Sequence, residues 1–464
     1  MAKVSWGEGI LLEQEVSRII AEQVERGIYF DITKAHLQIL DLNEKKDSLY
    51  AIIRKHLSYD IICKETTNGV SKEYKVDNFS SYHLSKGEKN FVKRIRLKSG
   101  ELVKSIHSWF DDECYLVDGP FSRIIIEEPS ISKRQLIIKQ LLRSGWKPKE
   151  FTEKGQPKIT IKGEPVPTLL KVGDFGRSLA DWYTYNHRLS QIEGFLPHVR
   201  EDGRIAAECN PCGTNTFRAK HRVVANIPRP TSTYGKEMRS LFSVGPGRSF
   251  VGADVAGLEL RMLAHHMKDQ EFTDTILHGD IHTFNQEKAK LPTRDDAKTF
   301  IYGFLYGAGD AKVGEIVNGT AKHGKMLKNN FLAGLPKLNS LITKVKAFGS
   351  RQGWLPSIDG RKIYLREWEG KVLVHTALNA LLQANGSIVT KKAMVISDKE
   401  IKRRKLDAFQ ILFYHDEWAM DCAEGLEEEV GNIMIDSMKE AGEYYNLNIP
   451  ITGDYGIGKD WGVH

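Results

Sequence analysis

Cysteine and proline are sparse in this chain of 464 residues, which holds 5 of the first and 15 of the second. The scattered thiols of Cys63, Cys114, Cys209, Cys212 and Cys422 cannot staple so long a chain into a disulfide framework, so a reducing cytoplasm is the expected setting. No apolar run approaches the roughly 18 residues that a membrane-spanning helix needs. The opening stretch, MAKVSWGEGI, lacks a cationic segment followed by an apolar core. Export, membrane insertion and a membrane partner are therefore not expected. Cys209 and Cys212 form a CxxC, but no second one accompanies it, and the HxxxH of His278 and His282 lies far downstream. Two ordinary buried thiols are a better reading of that pair than a zinc or redox site. No internal repeat or low-complexity segment is present.

What the chain does have is charge and aromatic surface. Lys and Arg number 67 against 60 Asp and Glu, a formal charge of +7, and 19 Phe, 16 Tyr and 8 Trp supply enough apolar area to offset the ordering entropy of a globular fold. At roughly 150 residues per domain the length allows about three domains. The positive charge is unevenly placed. Residues 61–110 carry ten Lys or Arg against five Asp or Glu, a local +5, interleaved with Tyr74, Phe79, Tyr82, Phe91 and Trp109. A surface that tracks a polyanion and stacks on bases would have this composition; so would a solvated basic insertion with a small core of its own.

Periodicity outlines the rest. Leu12, Val16, Ile19, Ile20 and Val24 mark a helix ended by Gly27, before the short apolar run Ile28-Tyr29-Phe30. Asp31 or Thr33 can cap a second helix carrying Leu42, Leu49, Ile52, Ile53 and Leu57. From about 60 to 125 the pattern becomes short and strand-like, helical spacing returns at Ile137, Ile138, Leu141 and Leu142, and residues 146–173 read as a connector.

Three later segments carry chemistry. In the first, residues 249–255 read as a buried strand and 257–265 as a helix, which puts Asp254 at a strand end. In the second, Phe409 to Tyr414 and Trp418 to Cys422 read as two strands, with His415-Asp416-Glu417 as the hairpin turn. If both strand systems share a sheet, Asp254 and Asp416 can converge on two divalent cations about 4 Å apart, the clamp for in-line attack at phosphorus, and hard oxygen ligands suit magnesium. Taken singly, each segment also fits a capped helix or a polar turn. In the third segment Arg294, Lys298, Tyr302 and Tyr306 recur every four residues, so one helix face offers two cations and then two rings, a strip for a triphosphate with its sugar and base. A solvated basic end with buried tyrosines is the alternative.

These segments resemble motifs A, B and C of family A DNA polymerases, the DNA polymerase I type: Asp254-Val255-Ala256-Gly257-Leu258-Glu259-Leu260-Arg261, then Arg294 to Gly307, then Tyr414-His415-Asp416-Glu417. Gly279-Asp280-Ile281-His282-Thr283 and the stretch from Ala297 to Gly309 are most similar to the replicative enzymes of short-tailed bacteriophages. The resemblance runs from about Leu11 to His464 and weakens in the basic stretch. It implies an α+β right hand: a thumb over 1–199 with a basic insertion at its tip over 63–116, a palm over 200–266 and 379–464 built on an antiparallel sheet, and helical fingers over 267–378.

The resemblance also implies roles. Asp254 and Asp416, with Val255, would hold two Mg2+ ions, for which Mn2+ can substitute. Arg294, Lys298 and His282 would bind the incoming dNTP together with Ala256 and Gly257, with Lys298 as proton donor to pyrophosphate. Glu259 would exclude a ribose 2′-hydroxyl and Tyr302 would complete that pocket, a tyrosine that implies tolerance of dideoxynucleotides. Tyr306 and Gly307 would meet the template, Asn379 and Gln383 would read minor-groove acceptors, and His415 and Glu417 would lie at the primer terminus. Arg218 with Asn226-Ile227-Pro228 would hold the DNA backbones. The family pattern Thr-Gly-Arg is Thr216-Phe217-Arg218 here, so a different local turn is expected; Ala384 likewise replaces a common glycine.

Primer-template DNA and dNTPs are thus the implied partners, with a processivity factor at the thumb insertion. Because the chain opens on thumb-like sequence and Asp111-Asp112-Glu113 reads as a surface turn, editing is expected from a separate exonuclease chain or not at all. The rival readings are a single-chain RNA polymerase, against which Glu259 argues, and a catalytically silent DNA-binding subunit of a phage replication complex, against which the full set of reactive side chains argues. Host cytoplasm is the expected location of a phage-encoded chain.

Overall fold

The apolar positions that recur at helical steps near the start are the buried face of a helix, Trp6–Arg26, with Val16 and Ile19 sealed from solvent. Strand Ile28–Phe30 follows, and then helix Ile32–His56, whose first turn is capped by the Asp31 carboxylate accepting from the Lys34 amide at 2.8 Å. The computed structural model describes residues 6–57 and 130–463, and between them the backbone of seven strands: Asp60–Thr67, Val70–Lys75, His83–Ser85, Asn90–Val92, Ser105–Phe110, Glu113–Asp118 and Arg123–Glu127. The side chains of the basic stretch, and Asp111-Asp112, lie outside the described residues.

The chain divides into two compact units, one of residues 37–191 and one of residues 1–36 and 192–464. In the first, the expected strand-like stretch is antiparallel: five strands form one sheet and Ser105–Phe110 pairs with Glu113–Asp118 as a separate hairpin. Its helical part buries Ile53, Ile137, Leu141, Phe175 and Leu179 together. The connector over 146–173 is more structured than its Pro and Gly content predicts. It contributes Trp146, Ile159, Val166 and Leu169 to that core, and Trp146 donates from Nε1 to Thr168 Oγ1 at 3.0 Å. A long segment rich in turn residues can still be anchored wherever single apolar side chains are buried.

In the second unit the elements that build the site are, in chain order, β1 (Arg248–Val255), α1 (Leu258–Met267), α2 (Ile281–Ala289), α3 (Arg294–Leu305), α4 (Ala377–Arg404), β2 (Ala408–Tyr414), β3 (Glu417–Ala423), α5 (Glu427–Tyr444) and β4 (Gly453–Gly458). The two expected strand systems do share a sheet. Its order is β2-β3-β1-β4, antiparallel throughout. Because side chains alternate along a strand, Val251, Ala253, Val255, Trp418 and Met420 enter one core with Met434 and Met438 of α5. The other face carries Asp254, which stands in register with Glu417 on one side and Asp454 on the other.

Two devices hold this frame. At Gly453 an added Cβ would lie 2.0 Å from the Asp254 carbonyl oxygen, so only glycine lets β4 run this close to β1. Lys391 of α4 is fully buried, and its ammonium bonds both carboxylate oxygens of Glu13 at 2.7 and 2.8 Å, while Arg361 reaches the same carboxylate at 2.7 Å. Charges so deep are tolerated only when paired in this way. Of the CxxC thiols, Cys209 is buried as expected but Cys212 is exposed, 3.7 Å from the Lys391 ammonium.

Candidate active site

Asp254 and Asp416 meet because the last residue of β1 is tied to the β2–β3 turn: the Val255 amide donates to the Asp416 carbonyl at 3.3 Å. Asp254 is exposed to solvent and Asp416 half-buried, yet protein crowds both carboxyls as at the floor of a cleft. Burial first, and then the charges of Asp416 and Glu417, push the Asp254 carboxyl up to about 7. Burial also raises Asp416, and the nearby Arg218 and Arg229 work against that rise. Two carboxylates that disfavour each other's ionised form fit a divalent cation, whose charge removes the conflict. Among the described residues no group of three His, Cys, Asp or Glu side chains forms a closed metal cage. A pair is what a site completed by phosphate oxygens and water needs.

The hairpin turn is shorter than expected. It consists of His415 and Asp416 alone, because Glu417 already pairs with Tyr414 as the first residue of β3. His415 takes φ 63°, a left-handed conformation that costs a non-glycine residue about 1 kcal/mol and places Asp416 at the tip. Ring contacts hold it: His415 lies 4.6 Å from Tyr414 and 5.0 Å from His221 between centroids. Burial, then Arg218, pushes the His415 imidazole down to about 4. Glu417, for which a place at the primer terminus is expected, is 7% exposed, accepting from Trp461 Nε1 and lying 3.4 Å from Arg239 Nη1. Residue alternation puts it on the Asp254 face, where Trp461 and Arg239 cover it.

The expected strip of cations and rings is built on α2 and α3. Asp280 caps α2 by accepting from the His282 and Thr283 amides, and its two oxygens also take Arg294 at 2.6 and 3.2 Å. The Arg294 guanidinium beside it holds the Asp280 carboxyl far below the usual carboxylate range. Burial and the neighbouring Arg294 and Lys298 lower the His282 imidazole, with Asp280 opposing. Arg294 and Lys298 are exposed one turn apart on α3, while Tyr302 is half-buried with its hydroxyl pKa raised by burial and by Glu259. Tyr306 donates to Glu259 Oε1 at 2.7 Å, joining the α3 strip to α1 beside Asp254, and Gly307 follows at φ 76°. Ala256 is fixed by its own amide to the Thr452 carbonyl at 3.0 Å, and Gly257, at φ 59°, turns the chain into α1.

A crevice brings Arg218, Glu259, Gln383, His415 and Asp416 together; Asn379 stands one turn before Gln383 on α4. Arg218 lies 3.9 Å from Asp416. At the position of the Thr216-Phe217-Arg218 departure, Phe217 takes φ 59°, in the region glycine favours. The strain is held by the Ser387 hydroxyl donating to its carbonyl at 2.9 Å and by Arg361 over its ring at 4.3 Å. Sequence reasoning missed Asp280, although an Asp two residues before His282 at a helix start is a capping signal. It also missed Arg261, which is buried and donates to the Ala256 and Pro450 carbonyls at 2.8 and 2.6 Å, fastening the loop after Asp254.

An antiparallel sheet thus presents paired carboxylates beside a helix of cations and rings. The chain belongs to DNA polymerase family A, whose model matches residues 138–463. It is similar to the DNA-directed DNA polymerase of Escherichia phage Phieco32, 35% identical over 63% of this chain and 60% of the phage protein. The corresponding enzyme of Escherichia phage T7 is 29% identical over 98% of this chain and 70% of its own length. That of Enterobacteria phage T3 is 33% identical over 76% and 55%. The chain thus spans between 55% and 70% of these relatives. The fold matches the POL domain of Pol1 from M. smegmatis, solved in complex with DNA primer-template and dNTP, at a TM-score of 0.73 and 19% identity, covering 97% of this chain and 70% of that one.

Proposed function

We propose that this chain is a template-directed DNA polymerase that adds dNMP units to a primer 3′-hydroxyl during phage DNA replication. The observation that carries the reading is the joining of Asp254 and Asp416 at adjoining strand ends, with burial and mutual repulsion lifting Asp254 to about 7. Asp254, Asp416 and Val255 would hold the divalent ions. Such ions, Mg2+ by the oxygen character of the ligands with Mn2+ as substitute, would supply Lewis acidity toward the primer hydroxyl and neutralise charge on pyrophosphate.

The chain's own side chains do the rest. Arg294, on release from Asp280, pairs with triphosphate oxygens, Lys298 donates the proton to the leaving pyrophosphate, and His282 adds a hydrogen bond. Glu259 and Tyr302 line the sugar side and reject a 2′-hydroxyl, while Ala256 and Gly257 bring backbone close to the nucleotide. Tyr306 leaves Glu259 to stack at the template position above Gly307; Arg218, Asn379, Gln383 and His415 meet primer and template. In this reading α2 and α3 are fingers, the four-stranded sheet is palm, and residues 1–199 are the thumb, with the insertion over 63–116 where a processivity factor is the further partner.

A primer-extension assay with the purified chain tests it. Wild type should extend with dNTPs and much less with rNTPs. Asp254→Ala and Asp416→Ala should each lower extension by about a thousandfold or more while primer-template binding persists. Retained turnover in either variant would refute the mechanism. Running the assay on a mismatched terminus reports separately whether excision accompanies synthesis.

A further inference from the structure

Asn285 lies on α2, three residues after His282, and is completely sealed from solvent. Neither its Oδ1 nor its Nδ2 has a partner among the described residues, and the same is true of His282 Nδ1. Residues three apart on a helix share a face with Cβ atoms about 5–6 Å apart. A buried amide without a partner is costly and rare, and an internal water making about three hydrogen bonds is the usual answer where several unpaired polar atoms converge. Here three such atoms belong to two side chains of one helical turn.

The chemistry of the imidazole gives this pairing a consequence. Only Nδ1 of the ring is sealed without a partner, and the ring lies 6.4 Å from that of Tyr302, on the strip proposed to receive the triphosphate. The groups that bear on it are Arg294, Lys298 and Asp280. A neutral imidazole carries one proton, and whichever nitrogen accepts a hydrogen bond leaves the other as donor. An amide, unlike a carboxylate or an aliphatic side chain, can donate to a water and accept elsewhere at once.

We propose that Asn285 is a positioning residue: through one internal water its amide keeps Nδ1 of His282 an acceptor, so that Nε2 carries the proton and donates to a phosphate oxygen of the incoming nucleotide. The proposal rests on the reading of this face as the triphosphate site. It accounts for an amide in the middle of an otherwise packed helix face, where Ala289 on the next turn is fully buried.

The test uses the full chain and two independent readouts. In protein labelled with 15N-histidine, the His282 resonance, assigned by its loss in His282→Gln, should show the Nε2–H tautomer in wild type. Asn285→Leu, close in volume and without polar atoms, should shift it toward a mixture or the Nδ1–H form. Asn285→Ser, which leaves room for water, should keep the wild-type tautomer and remains the informative variant if the leucine form folds poorly. In steady-state extension, Asn285→Leu should raise the dNTP KM by about fivefold to tenfold with kcat changed less than about twofold. The same change in a His282→Ala background should add nothing. An unaltered tautomer in Asn285→Leu, or equal KM increases in both backgrounds, would overturn the proposal. A wild-type chain that extends no primer would overturn the polymerase reading instead, and the tautomer measurement would still decide this one.

Discussion

Asp254 is the residue at which burial, repulsion and chemistry meet, and its ionisation makes stability depend on pH in a definite direction. Its carboxyl titrates near 7 in the folded chain against the ordinary 3.8, so the folded state binds the extra proton across that interval. The stabilisation this proton brings is complete below about pH 4 and is lost as pH rises through 7. Asn cannot titrate, so metal-free Asp254→Asn should gain stability relative to wild type between pH 5 and pH 8. The gain should be about 1 kcal/mol, because water reaches this carboxylate and screens it. Urea midpoints at the two pH values measure it, and equal differences at both would show that Asp254 titrates normally. Adding Mg2+ at pH 8 should raise the thermal midpoint of wild type and not of the variant, since a ligand that binds only the folded state stabilises it. Phe217 teaches a different lesson at the same scale. A non-glycine residue can hold a left-handed turn where neighbours such as Ser387 and Arg361 fix its carbonyl and its ring.

Among elements, the four-stranded sheet turns sequence separation into proximity. Its strands were legible because alternation and apolar content mark Arg248–Val255 and Ala408–Tyr414 plainly, and α3 was legible from its four-residue spacing. Less legible were contacts that obey no local period. Asp280 holding Arg294, Arg261 reaching the Pro450 carbonyl, and Trp461 covering Glu417 each join residues apart in sequence through a side chain whose type alone fits many roles. Strand β4 was unseen for a related reason: Gly453, Gly456 and Gly458 leave only Tyr455 and Ile457 to alternate, too short a pattern to mark a strand, and its place is set by closeness to β1. That closeness is testable. Gly453→Ala puts a methyl 2.0 Å from the Asp254 carbonyl and 2.7 Å from Met438 Sδ, so β4 must move or β1 must bend. The expected loss is about 2–3 kcal/mol in denaturant unfolding. Extension should fall more steeply than stability alone explains, because the displaced backbone carries Asp254. Wild-type activity in a folded Gly453→Ala chain would show that the carboxylate pair tolerates movement of its strand.

For the molecule as a whole the decisive quantity is where the net +7 resides, because a DNA polyanion responds to local density of charge and not to its sum. Much of the described basic surface is already paired: Arg403 and Arg404 bond Glu400 at 2.7 and 2.6 Å, and Arg18 takes Glu22 at 2.6 Å. Paired guanidinium groups must give up a carboxylate before they can release counterions from DNA, so they contribute little to a salt slope. The run Lys93-Arg94-Ile95-Arg96-Leu97-Lys98 contains no acidic residue at all. Replacing its four cations by glutamine should therefore flatten the dependence of primer-template affinity on salt, by about 0.9 in log–log slope for each duplex phosphate contact removed. The same change at Arg403 and Arg404 should leave the slope within error of wild type. Rates of single nucleotide addition at low salt should stay close to wild type in both variants, since neither alters Asp254, Asp416 or α3. Product length per binding event should shorten only in the first. If the slopes of the two variants match, the contacts that hold DNA lie outside the basic stretch, and its charge serves solubility alone.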